Sequence, residues 1–273
     1  MINEILSLLK ERSIHLSAPI SLKDCEINKG YKLERAGFGN TETLTAIMIA
    51  IPYFTAGHNK NLSSYAVCRD YHGYFAELFS TLLPILRERY PDNKFVGFAD
   101  DSPINERNAA AMAGLGVIGD NGMLITEKYS SYVFLGEIIT DIPTNIIPQP
   151  IRYCIGCGAC KRSCPMDKIG TCLSALTQKK GILSETEEQA ILKFGSVWGC
   201  DICQEVCPHT KKAIENGTIY TDIEYFKKDL IPYVTRENIE KMSDEEFARR
   251  AYSWRGRSVI LRNVDLMENH ENS

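Results

Sequence analysis

Eight of the ten cysteines lie in one stretch of the chain, and their spacing is typical of thiolates that bind metal. The first four follow the pattern C-x2-C-x2-C-x3-C-P, which is the bacterial ferredoxin pattern. In that pattern three closely spaced thiolates bind one iron–sulfur cubane, and the fourth binds a second one. Two complete clusters need four further cysteines. The chain supplies them as Cys172 and a C-x2-C-x3-C-P run that begins at Cys200.

We therefore predict two 4Fe–4S clusters. The ligands of the first are Cys154, Cys157, Cys160 and Cys207. The ligands of the second are Cys164, Cys172, Cys200 and Cys203. A pair of zinc sites is the alternative, but the two C-x3-C-P endings and the lack of interleaved histidines disfavour zinc. Clustered cysteines in a cytosolic protein also favour metal or redox chemistry over disulfides.

Composition places the chain among ordinary globular proteins. It has 273 residues, 44% of them hydrophobic and 24% charged, which is enough apolar material for a core and excludes disorder of the whole chain. The net charge of −4 gives no overall indication of nucleic-acid binding. No apolar run approaches the ~20 residues that span a bilayer, and the first residues lack the apolar segment of a signal peptide. We expect a cytoplasmic protein without membrane contact.

Hydrophobic periodicity predicts alternating helices and strands before the cysteines. Predicted helices cover 2–12, 71–90 and a segment from Ser102 to Ala113, and predicted strands cover 44–52, 123–126 and 132–140. Pro84 is expected to kink the second helix, and Ser102 and Pro103 are expected to begin the third as N-cap and first residue. The proline-rich segment 142–150 is interpreted as a linker to the cysteine-rich part. A capping box at Ser243 predicts a later helix.

Other common cofactor motifs are missing from the first half of the sequence. It contains no G-x-G-x-x-G after a strand and no H-E-x-x-H. The histidines show no ligand spacing, so we expect surface or supporting roles for His15, His58, His72, His209 and His270. We expect the first half of the chain to accept electrons from the clusters, and a Rossmann nucleotide site is not indicated there.

Three stretches in this half are distinctive when taken together. They are Arg69-Asp-Tyr-His72, Phe98-Ala-Asp-Asp-Ser-Pro-Ile-Asn-Glu-Arg107, and Ala113-Gly-Leu-Gly-Val-Ile-Gly119 followed by Asn121. With Phe134-Leu-Gly-Glu137 and the spacing of the eight cysteines, they make the sequence resemble the epoxyqueuosine reductases. Those are cobalamin-dependent iron–sulfur enzymes of tRNA queuosine maturation, related to the reductive dehalogenases. The resemblance runs from about residue 44 to about residue 210.

The resemblance implies an α+β fold in three parts. Residues 1–147 would form a nitroreductase-like cobalamin-binding domain, residues 148–215 a bacterial dicluster ferredoxin-like domain, and residues 216–273 a short helical C-terminal segment. Members of the family carry a further helical-repeat domain that grips the tRNA. Only residues 208–273 follow Cys207 here, so we expect a reduced platform for the substrate.

Asp100 falls at the family's catalytic aspartate, in a Phe-x-Asp-x-x-Pro-x-x-Glu-Arg stretch. The resemblance implies that it donates a proton beside the cobalt. A carboxyl near an apolar corrin pocket would have its neutral form favoured by desolvation, which suits a general acid. Asp101 is the rival for this role. A third interpretation is that one of the two only caps the helix at Ser102.

Residues in two regions are expected to contact the corrin. Gly114, Gly116 and Gly119 would allow the backbone to approach a flat macrocycle. A helix end followed by a turn is the alternative, and it would explain Gly114 alone. The resemblance adds Asn121, the stretch Ser174-Ala175-Leu176-Thr177, and Asp201. The sequence departs from the family pattern at Ala175, where a tyrosine is usual, and at Asp120, where lysine is more common.

The function implied is the reduction of epoxyqueuosine to queuosine, in tRNA or a shortened form of it. An external donor of the flavodoxin or ferredoxin type would supply electrons, which pass through the clusters to cobalamin. Two alternatives stay open: a related reductase acting on a small molecule or on the corrinoid itself, and a pure electron-transfer module. Five arginines near the C-terminus form a local basic patch, either a solvated face with ion pairs or a contact for tRNA phosphates. They are Arg249, Arg250, Arg255, Arg257 and Arg262.

Overall fold

The computed structural model describes residues 1–55, 60–166 and 170–271, so His58 lies outside the described residues. Internal contacts divide the chain into two compact units, and each unit combines two separate segments. The sheet unit comprises Met1–Pro52 and His72–Gly156, and the helical unit comprises Tyr53–Tyr71 and Cys157–Ser273. The sequence-based division into domains at residues 147 and 215 stays a prediction.

The sheet unit is built on a four-stranded antiparallel sheet with strand order β1-β2-β6-β3, and β4 and β5 form a separate pair. The strands are β1 (Leu16–Ser21), β2 (Thr45–Pro52), β3 (Phe95–Phe98), β4 (Val117–Ile118), β5 (Leu124–Ile125) and β6 (Val133–Thr140). Every residue of β2 is buried, as the continuous apolar run predicted. The predictions of strands at 44–52, 123–126 and 132–140 are confirmed.

Helices of the sheet unit cover both faces of this sheet. They are α1 (Ile2–Glu11), α2 (Gly30–Arg35), α4 (Tyr71–Arg89, with Pro84 inside it) and α5 (Glu106–Met112). On one face, alanines of α5 pack against Ala46 and Met48 of β2. On the other, aromatic rings of α4 lie against glycines of the sheet. A Cβ atom added at Gly136 would lie 2.5 Å from the ring of Phe75, and one added at Gly97 would lie 2.5 Å from that of Phe79.

The predicted start of α5 at Ser102 was wrong. The helix begins at Glu106, and Asn105 is its N-cap, with a side chain that accepts a hydrogen bond from the Asn108 amide. Ser102 is instead buried, and its hydroxyl donates to the carboxylate of Glu137. The serine was a good N-cap candidate from local sequence, but a partner on a distant strand uses its hydroxyl.

The helical unit is a set of short helices around two apolar clusters. Its helices are α3 (Ser64–Val67), α6 (Ala159–Arg162), α7 (Leu173–Thr177), α8 (Glu185–Phe194), α9 (Ile202–Glu205), α10 (Pro208–Glu215), α11 (Glu224–Lys227), α12 (Arg236–Lys241), α13 (Asp244–Ala248) and α14 (Arg257–Glu271). One cluster is centred on Trp198 and Tyr252, and the other includes Leu173 and Ile191. The predicted capping box at Ser243 is confirmed. Along the described residues, no helix is both long and apolar enough to cross a membrane.

Candidate functional site

The loop that follows β3 carries Asp100 in an unusual backbone conformation. Asp100 has φ of +63°, in the left-handed region that non-glycine residues rarely adopt. The Asp101 amide donates to the Ala99 carbonyl and the Ser102 amide to the Asp100 carbonyl, both at 2.8 Å, so the loop is tightly folded. Such a conformation costs on the order of 1 kcal/mol and is found most often where a side chain must be presented for function. The Asp100 side chain is exposed.

His72, at the start of α4, lies beside Asp100, and the sequence analysis gave it no role there. Its Nε2 lies 3.8 Å from Oδ2 of Asp100. Hydrogen bonding from His72 lowers the pKa of Asp100 and outweighs the desolvation that would raise it. We expected the opposite direction. The expectation considered desolvation alone, whereas the fold adds a donor from a helix that is distant in sequence.

Asp101 lies in a different environment from its neighbour. Lys29 and Lys32, from the region of α2, both pair with its carboxylate. Hydrogen bonds from these two lysines lower the pKa of Asp101 to about 2, so it holds no proton near neutral pH. This charge state argues against Asp101 as a proton donor. Neither aspartate caps α5, because Asn105 does.

Two glutamates lie beneath the loop and were missed as functional residues by the sequence analysis. Glu137 is fully buried on β6, and Glu106 lies in the first turn of α5. Burial raises the pKa of Glu106 to about 7, and burial together with the charge of Glu106 raises that of Glu137 well above its usual range. The Asp100 amide donates to Oε1 of Glu106 at 3.2 Å. The sequence signal that could have identified Glu137 is its position within the largely apolar strand that contains Phe134 and Leu135.

The three glycines predicted to face the corrin have structural roles within the sheet unit. Gly114 follows α5 with φ of +86°, which is the usual glycine ending of a helix. At Gly116 and Gly119, added Cβ atoms would collide with Ile125 and with Asn121 respectively. The Asn121 side chain accepts a hydrogen bond from the Met123 amide at 3.2 Å. Contact of these residues with a corrin stays a prediction.

Six of the seven motif cysteines of the helical unit lie on or beside two short helices that pack together, α6 and α9, and Cys172 is the N-cap of α7. Cys164 and Cys200 both pack against the apolar cluster around Leu173. Burial, with a smaller contribution from the neighbouring Cys203 and Cys172, raises the pKa of the Cys200 thiol to about 11. Ligands assigned to the second cluster are thus neighbours in the described structure.

The cysteines fit iron–sulfur clusters in chemistry. All ten are free thiols, and none of the eight motif cysteines is fully buried. Cys154 belongs to the sheet unit, whereas the other seven belong to the helical unit. Within residues 1–55, 60–166 and 170–271, no three His, Cys, Asp or Glu side chains form a group that could hold a single metal ion. The two-cluster assignment is therefore carried by thiolate chemistry and spacing.

Asp201 lies between two predicted cluster ligands and is buried in the helical unit. Lys60 Nζ lies 2.5 Å from its Oδ2, and the side chains of Ser63, Ser64 and Gln204 also donate to its carboxylate. A cavity of about 180 Å³ lies beside these groups, and Cys200 also lines it. The carboxylate is thus held by several donors from its own unit. Contact with corrin amides stays a prediction.

Ser174 and Thr177, the other predicted corrin contacts, lie on α7. Thr177 is fully buried, and its Oγ1 accepts a hydrogen bond from the Gly199 amide at 2.9 Å. The Ser174 hydroxyl accepts one from the Gln178 side chain at 3.1 Å. Thr177 therefore ties α7 to the segment just before Cys200, which favours a supporting role.

The C-terminal arginines are mostly used within the helical unit. Arg250, Arg257 and Arg262 donate to backbone carbonyls. Arg249 pairs with Glu245, and the guanidinium of Arg255 lies 3.7 Å from the ring centroid of the exposed Trp254. These contacts favour the interpretation of local pairing and leave Arg255 as the best candidate for a phosphate contact.

Comparison with known proteins gives a consistent result. No family model matches the chain. An epoxyqueuosine reductase of Listeria monocytogenes is 33% identical over 208 residues, which are 72% of this chain and 54% of that protein. One from Gloeobacter violaceus is 31% identical over 231 residues, 80% of this chain and 71% of that protein. The chain spans about half the length of the first of these relatives.

A solved structure of the same kind of enzyme shares the fold. It is a crystal structure of epoxyqueuosine reductase with an epoxyqueuosine-modified tRNA stem loop. The TM-score is 0.76 at 24% identity, and the match covers 98% of this chain and 81% of that one. The expected mixture of helices and sheet is thereby confirmed, and the identity of the individual domains is left to proposal.

Proposed function

The chain belongs to the epoxyqueuosine reductase family, and from that membership we propose that it is an oxidoreductase that reduces epoxyqueuosine to queuosine in tRNA. The single observation that carries the proposal is Asp100. It occupies the family's catalytic position, and the loop presents it, exposed and in a strained conformation, beside His72. The relative solved with a modified tRNA stem loop supports tRNA as the substrate class.

We assign the cofactors from the donor set. Cys154, Cys157, Cys160 and Cys207 would hold one 4Fe–4S cluster, and Cys164, Cys172, Cys200 and Cys203 the other. Segment 1–147 would serve as the nitroreductase-like cobalamin-binding part, and segment 148–215 as the dicluster ferredoxin-like part. Cobalamin, when bound, supplies a strongly reducing cobalt centre. A flavodoxin or ferredoxin would deliver the electrons, in the cytoplasm.

The residues proposed to contact the corrin fall into two groups. Gly114, Gly116, Gly119 and Asn121 belong to the sheet unit, and Ser174, Thr177 and Asp201 to the helical unit. The first group shapes a turn after α5 in which an added Cβ atom would meet the Ile125 backbone at Gly116 and neighbouring side chains at Gly114 and Gly119. The second group contains residues whose polar atoms already have partners, so they would act by fixing the surrounding backbone.

Asp100 would donate the proton that the reduced substrate needs. In this structure its pKa is lowered, because hydrogen bonding from His72 stabilises the anion by more than partial burial destabilises it. Covering the loop with cofactor and substrate would remove water and favour the neutral acid. His72, which lies beside this carboxyl group, would then be the residue that passes a proton to Asp100.

The decisive experiment measures anaerobic turnover of an epoxyqueuosine-containing stem loop, with the loss of one oxygen atom followed by mass spectrometry. D100N should lower kcat by about 10²–10⁴-fold, because asparagine keeps the shape of aspartic acid but has no comparable proton to give. D101N is the matched control and should cost about tenfold or less, as expected of a residue outside the chemistry.

Each other outcome points to a different function. Turnover of the nucleoside but not of the stem loop would identify a reductase for small substrates. Failure to bind cobalamin after reconstitution, with both clusters in place, would leave an electron-transfer module. Loss of activity in D101N and not in D100N would move the acid to the other carboxylate.

A further inference from the structure

The Glu106 and Glu137 carboxyl groups form a buried pair under the loop that carries Asp100. They are hydrogen-bonded to each other. Two ionised carboxylates are acceptors only, so a bond between them requires one proton. Oε2 of Glu137 is buried and accepts no hydrogen bond from the described residues, as expected if this oxygen is itself the donor.

The pair holds the loop at two points. The Asp100 amide donates to Oε1 of Glu106, and the Ser102 hydroxyl donates to Oε1 of Glu137. These contacts lie on either side of Asp101, and they bind the segment that has the left-handed residue. The position of the Asp100 side chain thus depends on two carboxyl groups that bind the Asp100 backbone amide and the Ser102 hydroxyl.

The surroundings of the pair explain why it keeps a proton. Residues opposite Glu137 on the two neighbouring strands are Met48 and Phe98, which are apolar. The ionisable groups that face the pair are His72 from α4, Asp100 from the loop, Lys32 from α2, and Cys25 from the segment before α2. Lys32 pairs with Asp101 instead. Ionising both glutamates would place two negative charges together in an apolar site.

We propose that Glu106 and Glu137 share one proton and act as positioning residues, which hold the loop so that Asp100 is presented to the substrate. Loss of that proton sets the two carboxylates against each other and releases the loop. The proposal rests on the proposed function only in taking Asp100 as the acid. The shared proton and the loop contact can be measured without any turnover.

The first measurement is infrared difference spectroscopy of the reconstituted, full-length protein between about pH 5 and about pH 9. A protonated-carboxyl band should titrate near neutral pH in the wild type, in D100N and in E127Q, whose replaced glutamate is exposed on the same unit. The double variant E106Q/E137Q should lack the band. Loss of the band in D100N would place the proton on Asp100 and overturn the proposal, as would its persistence in the double variant.

The second measurement is hydrogen exchange of the 99–105 amides, compared between variants at equal pH. In the wild type, protection should fall several-fold as the pH rises through the raised pKa of Glu137, after correction for intrinsic rates, because loss of the shared proton releases the loop. In E137Q it should not fall, since the glutamine amide can donate to Glu106 without a shared proton. Equal behaviour of wild type and E137Q would overturn the positioning role.

The third measurement separates this role from the proposed function. If the protein turns over the stem loop, kcat of the wild type should fall as the pH rises through the raised pKa of Glu137, and E137Q should shift that fall by about one pH unit or more. E106A should lose about tenfold in kcat, with KM unchanged, and E106Q should rescue it. Without turnover the proposed function fails, while the infrared and exchange results still decide whether the pair holds the loop.

Discussion

Two buried carboxyl groups, Asp201 in the helical unit and Glu137 in the sheet unit, have partners of opposite kinds. Asp201 has a lysine and several neutral donors around it. Glu137 has one serine hydroxyl and a second carboxyl group. Burial is almost complete for both, so burial does not decide their charge. The number and sign of the partners decide it: one is compensated by a cation, and the other by a proton.

Removing the cation should have the largest effect. In K60M the Asp201 carboxylate would stay buried without its compensating charge, although the serine donors remain. We expect the free energy of unfolding to fall by about 3 kcal/mol, as for other broken buried pairs. Urea unfolding of K60M beside K60R measures this. A loss in K60R equal to that in K60M would show that the fit of lysine, and not its charge, is what matters.

The raised pKa values of Glu106 and Glu137 should make the free energy of unfolding depend on pH. Glu106 has a pKa of about 7 in the folded protein, above the ordinary value of 4.5. The folded state therefore binds more protons than the unfolded state between these values, and stability falls as pH rises from about 4.5 to about 7. The decrease should be on the order of 3 kcal/mol, measured as the difference between wild type and E106Q/E137Q. A difference that stays constant across this range would contradict the shared proton.

A neutral side chain at the buried strand position should stabilise the protein at alkaline pH. In E137Q the amide can still contact Ser102 and Glu106 and carries no charge to desolvate. At about pH 8 we expect a free energy of unfolding about 1 kcal/mol above that of the wild type. Near pH 5 the advantage should vanish. Thermal unfolding at both pH values gives the comparison, and destabilisation at pH 8 would show that Glu137 is favourably ionised.

Replacing the exposed carboxylate of Asp101 should have the smallest effect on stability. Asp101 has two lysine partners but is open to solvent, so water and salt screen its pairs. D101N should leave the melting temperature almost unchanged at neutral pH. Its small effect should disappear below the pKa of about 2, where the wild-type carboxylate is itself protonated. A substantial change in D101N that persists in high salt would mean that Asp101 supports the loop by more than charge.

Local patterns predicted some of these features and could not predict others. The cysteine spacing and the apolar run of β2 are contained in short segments, so they were recognised from sequence. The pairing of Glu106 with Glu137 could not be recognised in this way, because it depends on which strand lies beside β3 and in what register. The lowered pKa of Asp100 was missed for the same reason, since His72 reaches it only through the packing of α4.

The helix start shows how a distant partner overrides a local signal. Ser102 followed by Pro103 has the usual features of a helix beginning, yet α5 begins at Glu106. The hydroxyl that would have capped the helix is bound to a strand residue instead. Capping preferences are on the order of 1 kcal/mol, and leaving a buried carboxyl unpartnered costs at least as much. The Ser102 hydroxyl therefore binds Glu137 and does not cap α5.

The contact between α4 and the glycines beneath it affects the loop that carries Asp100, because it sets how closely the helix approaches the sheet. Because the Phe75 ring rests directly on Gly136, the thickness of a single hydrogen atom sets how deep this end of the helix lies. His72 is one turn away on the same helix. A methyl group at Gly136 would lift that turn and carry the imidazole away from Asp100. Such a change would register as a defect in proton delivery, although every group that handles the proton would still be present.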